Sequence, residues 1–225
     1  MSIQEFLQHL VNGASLGSLY ALLAIGYTLV YGILRLINFA HGEIFMLGAY
    51  IAYYGLTLTS LPWFLVFILA SIFTGLIGVT LERLAYKPLR NSPKITNLIS
   101  AIGASFLFQN LAIMLFSGRP KAFPAPDMLN GVILVRGVSV NIISLIIPVV
   151  TIILLIILNT VIKRTKTGMA MRALSKDYEA ASLMGIDINM IISFTFFVGS
   201  FLAAVGGIMW GIKYPQLLPA MGIMP

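Results

Sequence analysis

The sequence contains no cysteine, which excludes a disulfide framework and any cysteine-based metal or redox site. Charge is almost as scarce. Only 9% of the 225 residues are charged, against about 25% in soluble domains. Hydrophobic residues make up 59%, and the mean hydropathy is +0.99. Such a chain is an integral membrane protein. The two histidines, His9 and His41, lie far apart, and the apolar runs hold essentially one acid, Glu43. No metal site, resident cofactor or catalytic triad is therefore expected. There is no G-x-x-x-x-G-K-[ST] phosphate loop, so any ATP that drives this protein is bound by another chain. The N-terminus, MSIQEFLQHL, lacks the basic flank of a secretory signal, and the first apolar run is expected to stay as a span. The net charge of +7 would suit nucleic acid, but basic residues in a membrane protein report topology, and no nucleic-acid partner is expected.

What is present is apolar sequence in long runs. Charge is absent from 6–34, and about 20 apolar residues suffice to cross a bilayer. Between Arg35 and Glu82 the only charge is Glu43, an interval long enough for two spans broken at Thr59, Ser60 and Pro62. Further runs occupy 95–118, 137–162 and 188–212. The pattern predicts an all-α polytopic helical bundle, one transmembrane domain over 1–225. Six spans are expected near 10–33, 37–58, 62–81, 96–117, 140–162 and 189–212, with a polar loop at 163–188. For 37–54 a broken or re-entrant segment stands beside the full span. Six spans put Arg35, Arg83, Lys87, Arg90 and Lys94 on the same side as Lys163, Arg164, Lys166, Arg172 and Lys176. Arg119, Lys121, Arg136 and Lys213 fall on the other. The richer side is expected to be cytoplasmic, which leaves the N-terminus outside.

The segment 163–189 has local order of its own. Asp177 is placed to cap a short helix, 177–184, and Glu179 falls in its first turn, where the helix dipole favours an acid. Ala180 and Ala181 favour helix, and Gly185 sits where a left-handed cap would end it. Met171, Leu174, Tyr178 and Ala181 recur at three- and four-residue steps as one apolar stripe, while Leu183 and Met184 would stand proud. Either this is a solvated hairpin with no partner, or the protruding apolar pair is a knob for a cleft in a soluble protein.

Two stripes of small residues are visible: Gly13, Gly17 and Ala21 in the first span, and Gly199, Ala203, Gly207 and Gly211 in the last. Such stripes let helix backbones approach closely, either inside one bundle or across a surface shared with a second subunit. Asn38, His41 and Glu43 are polar groups at the start of the second span, with Glu43 about 9 Å along a helix from Arg35. They form either an edge cluster bonded to neighbouring helices, with Arg35 as a partner, or part of a polar lining or gate. His41 and Glu43, two apart, should point to different sides. Asn97, Gln109, Asn110 and Asn159 are expected to bond between helices.

At this point the residues match a known pattern. Glu179-Ala180-Ala181 followed by Gly185 looks like the EAA-x3-G loop of ABC importer permeases. GASLGSLYALLAIGYTLVYGILRLINFAHGEIFMLGAY, 13–50, resembles the N-terminal signature of branched-chain amino acid ABC permeases of the H type. The resemblance extends through 167–186 and 213–225. It implies a homologous second permease, two cytoplasmic ATPases holding ATP and Mg, an extracytoplasmic substrate-binding protein, and residence in the bilayer of a bacterial inner membrane. It also implies that Asp177, Glu179, Ala180, Ala181, Leu183, Met184 and Gly185 form the element docking on an ATPase. Family members continue past a segment like 221–225 with further spans, so a C-terminally incomplete chain is expected.

The resulting expectation is a transport subunit, not an enzyme, moving branched-chain amino acids by alternating access. Same-family transport of urea, short amides or another amino acid is the alternative. A stand-alone channel or ion-coupled carrier would need a buried titratable relay, and the sequence offers Glu43 and little else. An intramembrane enzyme would need paired catalytic groups that are not apparent.

Overall fold

A computed structural model describes residues 3–90, 92–135 and 138–222. Arg136, assigned above to the outer side, and 223–225 of the final segment lie outside the described residues. The fold is helical, in chain order α1 (Ile3–Leu34), α2 (His41–Leu58), α3 (Trp63–Leu81), α4 (Lys94–Phe116), α5 (Ile142–Arg164), α6 (Lys166–Lys176), α7 (Tyr178–Leu183) and α8 (Ile188–Lys213). Among the described residues, five helices are long and apolar enough to cross a membrane: α1, α3 with its extension, α4, α5 and α8. Thr59 to Pro62 break the chain as expected, and Pro62 and Pro93 precede α3 and α4, where a missing N–H costs a helix nothing.

Two elements escaped the sequence reading. The connector 119–141 carries an antiparallel hairpin, β1 (Val132–Val135) with β2 (Val138–Asn141), in the register Val132↔Asn141 to Val135↔Val138. The loop after α5 holds α6, whose N-cap Thr165 accepts from the Gly168 amide at 3.0 Å.

Of the two readings of the second span, the full span over 37–58 needs correction and the broken segment agrees with the structure. Its helix begins at His41, not at residue 37, and α2 is not among the five helices suited to a bilayer. Residues 43–46 are buried in succession. At 100° per residue that covers every face of the helix, so the first half of α2 is wrapped by protein, while its end at Thr57 and Leu58 is exposed. It packs on α8, α3 and α4. Its first turn lies deep. His41 reaches the Leu23 carbonyl of α1, and Ser105 of α4 reaches Glu43. Both partners lie eleven residues from the ends of their helices that share a side, roughly 16 Å at 1.5 Å per residue. The chain therefore turns at Arg35 and climbs back through a non-helical 35–38 before α2 starts. Irregular backbone at such depth persists only where protein or a cavity covers it.

α8 is the hub, packed against α1, α2 and α3. Its small stripe is the reason. Gly199 of α8 and Gly26 of α1 face each other so closely that a Cβ on Gly26 would lie 2.7 Å from the Gly199 carbonyl oxygen. A Cβ on Gly207 would overlap the Phe45 carbonyl of α2, and Gly211 abuts Phe123. Ala203 is fully buried. This stripe serves packing inside the chain. The α1 stripe does not: Gly13 and Gly17 are exposed with nothing within 4 Å of an added Cβ, and Ala21 is half-buried.

Candidate functional site

The first candidate site is the lever formed by α6 and α7. Asp177 caps α7 as expected, its Oδ1 accepting from the amides of Glu179 at 2.9 Å and Ala180 at 3.0 Å. Gly185 has φ of +77°, a left-handed conformation that costs an L side chain about 1 kcal/mol or more. Met171, Leu174 and Ala181 are buried together beneath the lever, with Tyr178 half-buried beside them. Above, Glu179 and Ala180 are exposed, and Leu183 and Met184 stand 88% and 82% exposed. Two bulky apolar side chains exposed on a fixed, doubly capped turn form a ready contact surface.

The lever is tied to the body by hydrogen bonds. Tyr178 donates to the Ile33 carbonyl at the end of α1 at 3.3 Å. Burial pushes the Tyr178 phenol above its ordinary range, so the hydroxyl stays protonated and keeps donating at any physiological pH. Arg35, left-handed at φ of +53°, donates to the Ser175 carbonyl of α6 at 3.3 Å. Arg35 is thus no partner for Glu43. Arg172 caps the end of α5 through the Ile162 carbonyl.

A second brace stands alongside. α3 runs into a wide turn, Glu82–Tyr86, where Lys87 N–H closes on the Glu82 carbonyl at 2.8 Å. Such π-type turns concentrate at functional positions. This one buries Glu82 completely, where Arg90 at 2.8 Å and Ser193 of α8 at 2.9 Å donate to its two oxygens. Arg90 also donates to Asn189 at 3.0 Å. The basic loops therefore meet at one end of the bundle, as the charge pattern implied. Glu82 was visible in the sequence only as the acid closing an apolar run; nothing marked Arg90, Asn189 and Ser193 as its partners.

The second candidate site is the polar cluster. Asn38 Oδ1 accepts from the Ala40 amide at 3.1 Å and from the Tyr86 hydroxyl at 2.8 Å. His41 Nε2 lies 3.2 Å from the Leu23 carbonyl, and Glu43 accepts weakly from Ser105 at 3.4 Å on the opposite side. The H-x-E pair does point apart. All three residues are at most 3% exposed. The cluster is interior, not at the edge of the bundle. Asn97 bonds the Leu89 carbonyl between segments, whereas Asn110 bonds Phe106 in its own helix, against expectation. No group of three or more metal-ligating side chains occurs among the described residues.

A family model described as "Branched-chain amino acid transport system / permease component" matches residues 9–223. The chain is 40% identical to the high-affinity branched-chain amino acid transport system permease protein BraD of Pseudomonas aeruginosa, over 99% of this chain and 76% of that protein. It is 39% identical to the corresponding permease protein LivH of Salmonella typhimurium, over 97% of this chain and 75% of that one. A probable branched-chain amino acid transport permease protein LivH of Methanocaldococcus jannaschii is 27% identical over 95% of the chain and 69% of its own length. No solved structure gives a significant match.

Proposed function

The chain belongs to the branched-chain amino acid transport system permease family, and from that premise we propose that it is the membrane subunit of an ATP-driven importer. In this reading it moves branched-chain amino acids inward by alternating access, with its N-terminus outside the cell and the α6–α7 lever in the cytoplasm. The observation that carries the reading is the pair Leu183 and Met184, held almost fully in water above a buried stripe. A cleft in a cytoplasmic ATPase would bury that pair, and a helix seated in a groove is a recurrent docking mode. Two such ATPases hold ATP and Mg. A second permease completes the pathway, and an extracytoplasmic binding protein delivers substrate.

Coupling then has a physical route. When the ATPases close, α7 moves with them. Tyr178 pulls on the end of α1 at Ile33, next to the irregular 35–38 that leads to Asn38. Tyr86 holds Asn38, and the Glu82–Arg90 brace holds Asn189 and Ser193 in the first two turns of α8. Motion at the lever thereby reaches the interior cluster through hydrogen bonds and a wide turn. Purifying the chain from membranes should bring a P-loop ATPase with it. Replacing Glu179 and Gly185 should cut uptake about tenfold, the effect of losing a contact worth about 1.4 kcal/mol, with the amount inserted unchanged. Full uptake in both variants overturns the coupling role.

A further inference from the structure

A cavity of about 350 Å³ lies between α1 and the start of α2, within the about 300–1,000 Å³ usual for small-ligand sites. Tyr20, Ala24 and Tyr27 form one wall, and Asn38, Phe39 and His41 the other. It opens at Tyr20 and Ala24 on the exposed side of α1.

Its polar groups are incompletely used. Asn38 and His41 are only 2% and 3% exposed. The Asn38 carbonyl oxygen is taken by Ala40 and Tyr86, but its Nδ2, with two N–H donors, has no partner among the described residues. His41 Nε2 faces the Leu23 carbonyl, which can only accept, so Nε2 carries the proton. Nδ1 is then a bare acceptor, and it too lacks a partner. Each unpaired buried group is a desolvation cost that an apolar side chain would avoid. Around them the chain is non-helical at 35–38, and α2 begins with no side-chain cap. The Ala40 and His41 amides are met by Asn38, so what this end of α2 offers a ligand is the positive end of its dipole. Interrupted helices at mid-depth are where transporters hold charged substrate groups.

We propose that this cavity is a half-site for an α-amino acid zwitterion, an inference that rests on the importer reading above. Asn38 Nδ2 and the N-terminus of α2 meet the carboxylate. His41 Nδ1 accepts from the ammonium, and Tyr20, Tyr27 and Phe39 surround the aliphatic side chain. A free donor and a free acceptor on two residues lining one cavity suit a molecule carrying both charges. Glu43 is not among the lining residues: its Oε1 accepts from Ser105, and its Oε2, with no partner among the described residues, lies behind Gly222.

The lack of cysteine makes the test direct, because Ala24→Cys is then the sole thiol on this chain. In the assembled transporter in membrane vesicles, a small charged methanethiosulfonate should modify it, read as a mass shift of this chain. L-Leucine at about ten times its dissociation constant should slow the reaction about tenfold. Leucinamide and 4-methylpentanoate each lack one of the two charges and should slow it less than about twofold. Asn38→Leu and His41→Phe should lose the protection while labelling at the unprotected rate. Labelling that leucine does not slow, or protection that survives both substitutions, overturns the zwitterion site and leaves the importer reading standing. Absence of labelling overturns an aqueous cavity. The importer reading fails separately, if the unsubstituted assembly takes up no branched-chain amino acid when ATP is supplied.

Discussion

The two glycine stripes look alike in sequence and do opposite things. On α8, Gly199, Gly207 and Gly211 are buried where backbone or rings press against them. On α1, Gly13 and Gly17 face outward with open space around them. The other outward faces sharpen the contrast. α5 shows Val149, Ile152, Ile153, Ile156 and Ile157, and α3 shows Phe64, Ile68, Leu69, Ile72 and Phe73. From residue 12 to 32, α1 exposes no aliphatic side chain larger than alanine: only Asn12, Gly13, Ala14, Gly17, Tyr20, Ala24, Thr28, Tyr31 and Gly32. Bulky aliphatics meet lipid tails well, whereas small and hydroxyl-bearing residues suit protein or water. Exposure in a single chain is therefore of two kinds, and side-chain size separates them.

The largest test of that contrast is a pair of leucines. Gly207→Leu drives a side chain into the α2 backbone at Phe45, which cannot yield. It should destabilise the chain by about 3 kcal/mol or more. Gly17→Leu meets nothing and should stay within about 0.5 kcal/mol. Denaturant unfolding in detergent compares the two directly, and equal effects would erase the distinction. Next come lysines. Ile156→Lys on α5 should cost about 2.5–3.5 kcal/mol of insertion free energy and lower the amount recovered in membranes. Thr28→Lys on α1 should insert normally and impair uptake instead. Loss of insertion in both would return α1 to the lipid. The smallest effect belongs to the lever. Asp177→Ala removes two amide acceptors at the start of α7 and should cost about 1 kcal/mol, seen as faster amide exchange over 178–184 with the spans unchanged.

Much of this was legible beforehand, for stated reasons. Five of the six expected spans lie within about three residues of an observed helix at most of their ends, because apolar length and Pro punctuation are local signals. The Asp177 cap, the Gly185 terminus and the proud Leu183 and Met184 were readable because capping chemistry is local too. What sequence could not give was partnership. No pattern distinguishes a small stripe that meets a neighbour from one that does not. The interval after Arg35, with Glu43 as its one charge, allowed either a full span from residue 37 or a broken segment, because length carries no information on backbone shape. The depth of His41 depends on Leu23 and Gly26, which are unremarkable as letters. The hairpin at 132–141 was hidden inside a connector, its strands four residues each.

The enclosure of α2 bears on how the molecule is made. A ribosome delivers α2 early and α8, the helix that covers much of it, only after α5, α6 and α7. Until residue 188 onward has emerged, His41 and Glu43 have no shelter from the α8 side. Order of synthesis and order of assembly therefore run apart, and α2 reaches its final surroundings only once α8 has been made.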